Sequence, residues 1–435
     1  MASRLPTEPP RGMRDILPAE AELRDAAAET ILAVYRRHGF RRIETPALES
    51  LSLLTGGGGG ENEKLIFKVL KRGDKLDVAA AVTEADLADL GLRFDLTVPL
   101  ARYYAQNHAK LPDPLRAVQL GPVWRAERPQ RGRYRQFTQC DIDILGVASE
   151  IAEIELILAT TEALGALGLE GLTVRINDRR LLTAMAAWCG FAPERHGSVF
   201  ITLDKWDKLS PEEIRRELAE AGHPAPAIAR MLDLYATAAP ASLSAVQRQL
   251  GNPTAEGAFA ALERILGAVG AAAAGRFRID FDPTLVRGMG YYTGPIFEIR
   301  SSSFAAGSIA GGGRYDGMIG RMLGRAVPAT GFSIGFERVV DILGRAEGGA
   351  GRDDKRLAFL FEDGAQELGG VLRAAQALRG QGYLVALERQ TRSPGAQRAA
   401  LEKQGYHGVA TVGPDGRADV HWFADRALRR SGSRT

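Results

Sequence analysis

Two stretches, LRAVQLGPVWRAERPQ and YRQFTQCDIDILG, flank a basic loop running from Arg128 to Arg133. Both arms read as strands, with side chains that alternate between two faces. Two strands joined by so short a connection pair antiparallel. The spacing predicts one long hairpin that any fold of this chain must accommodate. Its charge is uneven. Arg125, Arg128, Arg131, Arg133 and Arg135 crowd the turn, and Asp141 and Asp143 follow on the second arm. A guanidinium fork grips phosphate oxygens in pairs and does not lose its proton. The hairpin alone fits two readings: a solvated charged loop, or a site that holds an anion beside a cationic amine.

The elements around it are mixed. AELRDAAAETILAVYRR, residues 21–37, carries apolar residues at helical spacing, and Gly39 ends it. FRRIETPAL reads as a strand meeting a turn at Pro46. TGGGGGE places glycines from Gly56 to Gly60, which reads as a flexible loop, since the Lys-Ser/Thr of a phosphate-binding loop is missing. KLIFKVLKRGDKLD looks like strand, turn, strand. LRFDLTVPLARYYAQNH begins extended and turns helical after Thr97, with Asp95 and Thr97 on one side of the extended part. A helix is expected over 148–167, then mostly helical text over about 179–273. Strands follow at 276–282 and 291–301, and two strand-to-helix passages come next, SIAGGGRYDGMIG and ATGFSIGFERVVDIL.

Residues 344–355 are polar and glycine-rich and read as a linker. Beyond them strands and helices alternate from RLAFLFED to ADVHWF, which predicts a small α/β domain with a largely parallel sheet. The end, RALRRSGSRT, reads as a basic tail.

Composition narrows the function classes. A chain of 435 residues with 45% hydrophobic and 25% charged residues is that of a globular protein with more than one domain. A formal net charge of +3 permits a polyanionic partner without demanding one. Cys140 and Cys189 lie far apart with no CxxC, and the six histidines are scattered, so neither a disulfide framework nor a protein-held metal centre is expected. The N-terminus has no apolar signal region, and the apolar run from Ile265 to Gly275 is too short to span a bilayer. The expectation is a cytoplasmic protein without membrane contact.

Three further segments concentrate chemistry. LVRGMGYYTG sets Arg287 beside glycines and two tyrosines, GFSIGFERVV sets Arg338 at the start of a helix, and RFDLT offers Asp95 and Thr97. Each alone fits an ordinary turn or surface. As an ordered set, with AGGGRYDG between the last two, the chain resembles histidyl-tRNA synthetase, a class II aminoacyl-tRNA synthetase, over about residues 10–425. The resemblance implies an α+β fold: a class II antiparallel-sheet catalytic domain over 1–345 with a helical insertion at about 179–273, a linker over 346–355, an anticodon-binding-type α/β domain over 356–425, and a tail over 426–435. It implies a homodimer, with Pro46 at the motif near the dimer interface.

The same resemblance implies ATP, L-histidine and tRNA(His) as substrates, with Mg2+ accompanying ATP. Arg125 and Arg287 would act at the α-phosphate. Arg338, Glu127 and Arg133 would complete the ATP site. Asp95, Thr97 and Gln139 would hold the amino-acid backbone of histidine, with Asp143, Tyr292, Tyr291 and Arg287 around the rest of it. No resident metal site follows. This sequence departs from the family pattern at Gly290, where many members carry Asp, at Asp95, where many carry Glu, and in its short C-terminal domain. A related reading is the histidine-binding regulatory subunit of ATP phosphoribosyltransferase. Those paralogues characteristically lack the C-terminal domain and let the ATP-binding arginines drift, whereas Arg125, Arg287 and Arg338 all stand here.

Overall fold

The computed structural model describes residues 5, 7–56, 65–129, 133–238, 242–251, 255–287, 290–304, 307–345, 355–362 and 368–423. The chain divides into two compact units, Met1–Ala350 and Gly351–Thr435. Most of the expected linker, the expected tail and Gly57–Gly60 of the glycine run lie outside the described residues.

The first unit contains strands β1 (Arg41–Arg42), β2 (Leu48–Ser50), β3 (Lys68–Leu70), β4 (Ala88–Leu92), β5 (Leu115–Trp124), β6 (Gln136–Leu145), β7 (Thr173–Asp178), β8 (Arg278–Phe281), β9 (Pro295–Arg300), β10 (Ala310–Arg314) and β11 (Ala329–Gly335). Eight of them form one sheet in the order β1-β5-β6-β11-β10-β9-β7-β8. Its interior pairs are antiparallel, and only the flanking pairs β1–β5 and β7–β8 run parallel. The expected hairpin is β5–β6, registered from Leu115 opposite Leu145 to Trp124 opposite Gln136. A small sheet, β2-β4-β3, stands beside it. The second strand expected after β3 is absent. Gly73–Lys75 forms a 3-10 turn instead, because Asp74 and the glycine favour a turn over pairing.

One face of the large sheet is packed against helices. Ile142, Phe332 and Phe297 lie on it, and the Phe297 and Phe332 rings meet edge-on at 4.7 Å. The helix Pro18–Arg37 starts on a proline with Glu20 in its first turn and ends on Arg36 and Arg37, as the helix dipole favours. It buries Ala27, Ile31, Val34 and Tyr35 at helical spacing. The helix Ile151–Ala166 is fixed by Arg314 of β10, whose guanidinium reaches both carboxylate oxygens of the fully buried Glu153 at 2.8 and 2.9 Å. Arg314 also donates to the Val147 and Ser149 carbonyls. The helical stretch folds into separate helices, the last and longest being Glu256–Ala273.

The second unit contains β12 (Arg356–Phe361), β13 (Leu384–Arg389), β14 (Gly408–Val412) and β15 (Ala418–Trp422) in the order β13-β12-β14-β15. The first two pairings are parallel and the last antiparallel. Helices Leu368–Gly380 and Pro394–Lys403 make the crossovers, as the alternation predicts.

Breaking the Arg314–Glu153 pair leaves a buried carboxylate alone. We expect Arg314→Met to cost about 3–5 kcal/mol of unfolding free energy in urea titrations. A loss below about 1 kcal/mol would remove this pair as the tie between sheet and helix.

Candidate active site

The other face of the sheet is the floor of a cavity of about 500 Å³. Cross-strand neighbours share a face. The register therefore places Gln119, Asp141, Ser333, Gly311, Glu298 and Arg175 in one row across six strands. In the middle of this floor the side chains stop. A methyl group on Gly331 would meet the Asp143 carboxylate, and one on Gly311 would meet the Arg287 guanidinium. The glycines of AGGGRYDG and ATGFSIG keep that space open for polar groups and a ligand.

Three carboxyl groups gather on one side. Asp141 and Asp143 come from β6, two residues apart and hence on one face. Asp95 lies just past β4, where the expected extended segment has already ended. Thr97 is the first residue of the helix Thr97–Asn107, and Asp95 Oδ1 accepts the Val98 amide at 3.1 Å. The expected shared strand face for Asp95 and Thr97 is thus corrected: the pair stands at a helix start, where a short acidic side chain caps free amides. Each aspartate is at most 4% exposed.

Burial sets their protonation. It pushes the Asp143 carboxyl up to about 7, although the Tyr315 hydroxyl donates to Asp143 Oδ1 at 2.6 Å and offsets part of the effect. Asp141 is held well above the usual carboxylate range by burial and then by the neighbouring Asp143 and Asp95 charges. Asp95 is raised by burial, offset partly by the Val98 amide and Arg125. Among the described residues, Asp95 Oδ2, Asp141 Oδ1 and Gln139 Oε1 are buried with no hydrogen-bond partner. Gln139 donates from its amide to Ser333 Oγ at 3.2 Å. An aromatic wall closes this side. Tyr291 packs edge-on to Tyr292 at 4.9 Å and to Tyr315 at 6.0 Å, and it is hydrogen-bonded to Thr97.

Arg287 lies across the glycine floor from the carboxyls, whereas Arg125 lies on their side of it. Arg125 follows β5 immediately, donates from Nε to the Phe94 carbonyl at 2.9 Å and stacks over Phe137 at 5.0 Å. Arg287 is held 3.4 Å from Glu298. Arg338 sits in the first turn of the helix Phe336–Arg345, bonds the Ser308 carbonyl and faces the Phe304 ring at 5.9 Å. A cation at a helix N-terminus opposes the dipole. Burial and the nearby Arg287 and Arg133 charges also hold the Arg338 pKa below its ordinary value. Arg133 bonds Glu127 at 2.9 Å. An anion entering here relieves a crowd of positive charge.

All of the nominated side chains, Asp95, Thr97, Arg125, Glu127, Arg133, Gln139, Asp143, Arg287, Tyr291, Tyr292 and Arg338, line this one cavity. Gly290 is exposed, and its two preceding neighbours lie outside the described residues. Sequence reasoning passed over Asp141, Ser333, Tyr315 and Lys208, which also line it, and Glu298, which holds Arg287. Asp141 was within reach, because it alternates in step with Gln139 and Asp143. Glu298 and Lys208 carry no such signal. Among the described residues no group of three or more His, Cys, Asp or Glu side chains could hold a metal ion.

The family model described as "Histidyl-tRNA synthetase" matches residues 12–339. The histidine–tRNA ligase of Leifsonia xyli is 47% identical over 420 residues, covering 94% of this chain and 96% of that one. The probable histidine–tRNA ligase of Tropheryma whipplei is 41% identical, covering 93% and 96%. Among solved structures, a histidyl-tRNA synthetase from Nostoc sp. PCC 7120 superposes with a TM-score of 0.77 at 26% identity, over 96% of this chain and 97% of that one. A Bacillus halodurans protein described as an ATP phosphoribosyltransferase regulatory subunit/histidyl-tRNA synthetase shares the fold, with a TM-score of 0.74 at 22% identity over 94% and 98%.

Asp143 gives a pH signature. Its folded pKa of about 7 lies above the unfolded aspartate value near 3.9, so the folded state binds the extra proton between them. Its contribution is fully present below about pH 4 and is lost as pH rises through about 7. Thermal melts of the ligand-free protein should therefore show Asp143→Asn gaining on the wild type across that window. Parallel melting curves would contradict the assignment.

Proposed function

The chain belongs to the histidyl-tRNA synthetase family, and on that premise we propose which of its side chains carry each part of the reaction. It is a histidine–tRNA ligase. Histidine and ATP give histidyl-adenylate and pyrophosphate, and the histidyl group then passes to the 3′ end of tRNA(His). In the first step a histidine carboxylate oxygen bonds to the α-phosphorus while the bond to the pyrophosphate oxygen breaks. Two anions must approach, so the site has to supply positive charge where they meet. The observation that carries the assignment is one cavity lined by a buried carboxyl cluster and by the guanidiniums of Arg125, Arg287 and Arg338, with glycines of β10 and β11 in its floor.

On this reading Arg125 and Arg287 flank the α-phosphate and Arg338 takes the terminal phosphate. Glu127 and Arg133 border the ATP site. Asp95, Thr97 and Gln139 hold the amino-acid backbone. Asp143, steadied by Tyr315, meets the imidazole ring, with Tyr291 and Tyr292 along its side. A buried polar group that pairs with the ring rejects apolar side chains, because they would leave it unpaired. A regulatory histidine sensor has no need for three guanidiniums aimed at an anion, so the cavity favours the ligase. Mg2+ fits as an ion brought by the phosphates, since such ions need only one or two protein carboxylates. Glu127, beside Arg133, is a cavity carboxylate that would face the ion, and the ion would neutralise phosphate charge.

A homodimer and a cytoplasmic location complete the proposal. Leu48, Leu70 and Leu90 are exposed on the small sheet beside Pro46, an apolar edge suited to a second copy. Among the described residues no helix is long and apolar enough to cross a membrane.

Purified protein should catalyse ATP–pyrophosphate exchange with histidine and with none of the other standard amino acids. Arg287→Ala should lower that exchange by about 10²–10³-fold, the usual worth of one preorganised donor. Calorimetric histidine affinity should stay within a few-fold. Near-normal exchange would take Arg287 out of the chemistry, and exchange with another amino acid would overturn the substrate.

A further inference from the structure

The carboxyl cluster has more oxygens than the imidazole reading uses. Asp143 is matched by the Tyr315 hydroxyl. Asp141 stands between Gln139 and Asp143 on the same strand face, and its Oδ1 is one of three buried oxygens without a partner on the described residues that line the cavity. The others are Asp95 Oδ2 and Gln139 Oε1, on residues that line the same cavity. An aspartate kept for packing or for strand structure would have its oxygens satisfied, because an unmatched buried acceptor is costly.

Asp141 Oδ1 has no partner, although the Ser333 hydroxyl opposite it on β11 bonds the carboxyl and lowers its pKa in part. Its other oxygen lies 3.5 Å from the Gln139 amide, which also serves Ser333. The Gln119 amide opposite donates to the Leu96 carbonyl at 3.1 Å. Arg125, whose charge reaches both Asp141 and Asp95, spends its Nε on the Phe94 carbonyl and its face on Phe137. Three unpartnered acceptors on residues that line one cavity are matched by a group with several donors and a positive charge. A primary ammonium is such a group.

We propose that Asp141 is a third direct contact to the α-ammonium of histidine, closing a tripod with Asp95 Oδ2 and Gln139 Oε1. This rests on the histidine reading above and adds a residue to it. The spacing suits the substrate. Two residues along a strand separate Asp141 from Asp143 by roughly 7 Å, a distance one histidine spans from α-nitrogen to ring. Across the sheet, Gly311 beneath Arg287 lies two strands from Asp141, roughly 10 Å away, which leaves the substrate carboxylate between them. Asp141 thus fixes the amine end while Arg287 draws the carboxylate towards the phosphate. Burial and the adjacent Asp143 and Asp95 hold the Asp141 carboxyl above its ordinary range in the free protein, and an arriving ammonium supplies the counter-charge that favours its ionised form.

The test compares histidine with 3-(imidazol-4-yl)propionate, the same molecule without its amine. Calorimetry on the full chain should show wild type preferring histidine strongly. In Asp141→Asn the histidine preference should fall by about 10–100-fold, the worth of a charge-assisted hydrogen bond, while affinity for the amine-free acid changes little. ATP binding and the melting temperature of the ligand-free variant should not drop, because a buried unmatched carboxyl has been removed. Asp141→Ser, which is smaller than the native side chain, repeats the comparison if the asparagine variant does not fold. An unchanged preference, or an equal loss for both ligands, would overturn the role of Asp141. A wild type that binds no histidine would instead sink the substrate reading on which it stands.

Discussion

The ion pair between Arg287 and Glu298 fixes where anions can meet in this fold. Arg287 occupies the space that a side chain on Gly311 would fill, so it lies flat on the sheet instead of reaching over it. Glu298 sets its direction, and Glu298 is itself held by Arg175 at 2.9 Å and Arg300 at 3.2 Å. Arg175 in turn grips Asp207, from the helical segment, at 2.8 Å and Asp282 after β8. Four elements therefore bear on one guanidinium. The partly buried pairs in this network are screened less than exposed ones, so the arrangement gains in rigidity what isolated surface pairs could not supply.

The same geometry explains why the carboxyl and guanidinium clusters do not neutralise each other. Asp141 and Asp143 stand on β6, across the glycines of β11 and β10 from Arg287, and the β6–β11–β10 pairing fixes the register of that floor. A one-residue slip of β6 would turn Asp141 and Asp143 to the helix-covered face. Asp141 and Asp143 are pushed above their ordinary pKa range, and Arg287 and Arg133 push Arg338 below its own. The ligand-free site is under electrostatic stress that a zwitterion and a polyanion together relieve. Binding is favoured because the substrates complete charges that the protein leaves incomplete.

Much of this was legible in the sequence, and the gaps have physical causes. The hairpin, the helix expected over 21–37, the largely parallel sheet of the second unit and the helix start near Arg338 all follow from periodicity and punctuation. Periodicity could not say that Asp95 leaves its strand, because capping a helix and ending a strand use the same residue types. Asp141 was readable from its parity with Gln139 and Asp143, yet an acidic residue on a strand face is commonly just exposed. Glu298 and Arg314 were not readable. Each takes its meaning from a partner more than ten residues away in sequence, and only pairing in space supplies that partner.

The charge reversal along the β5–β6 hairpin shows the limit of counting charges. Of the arginines around its turn, Arg125 and Arg133 face the cavity. Arg135 instead ties the turn together through the Glu127 carbonyl at 3.0 Å and the Arg11 carbonyl at 3.4 Å, and Arg128 is exposed. What matters is which strand parity each charge occupies and how far it lies from the glycine floor. A sequence with the same number of arginines shifted by one position would keep the basic loop and lose the site. Positional order along two paired strands, with anion-binding groups at the turn and amine-binding groups deeper along β6, therefore constrains the chemistry more tightly than net charge can.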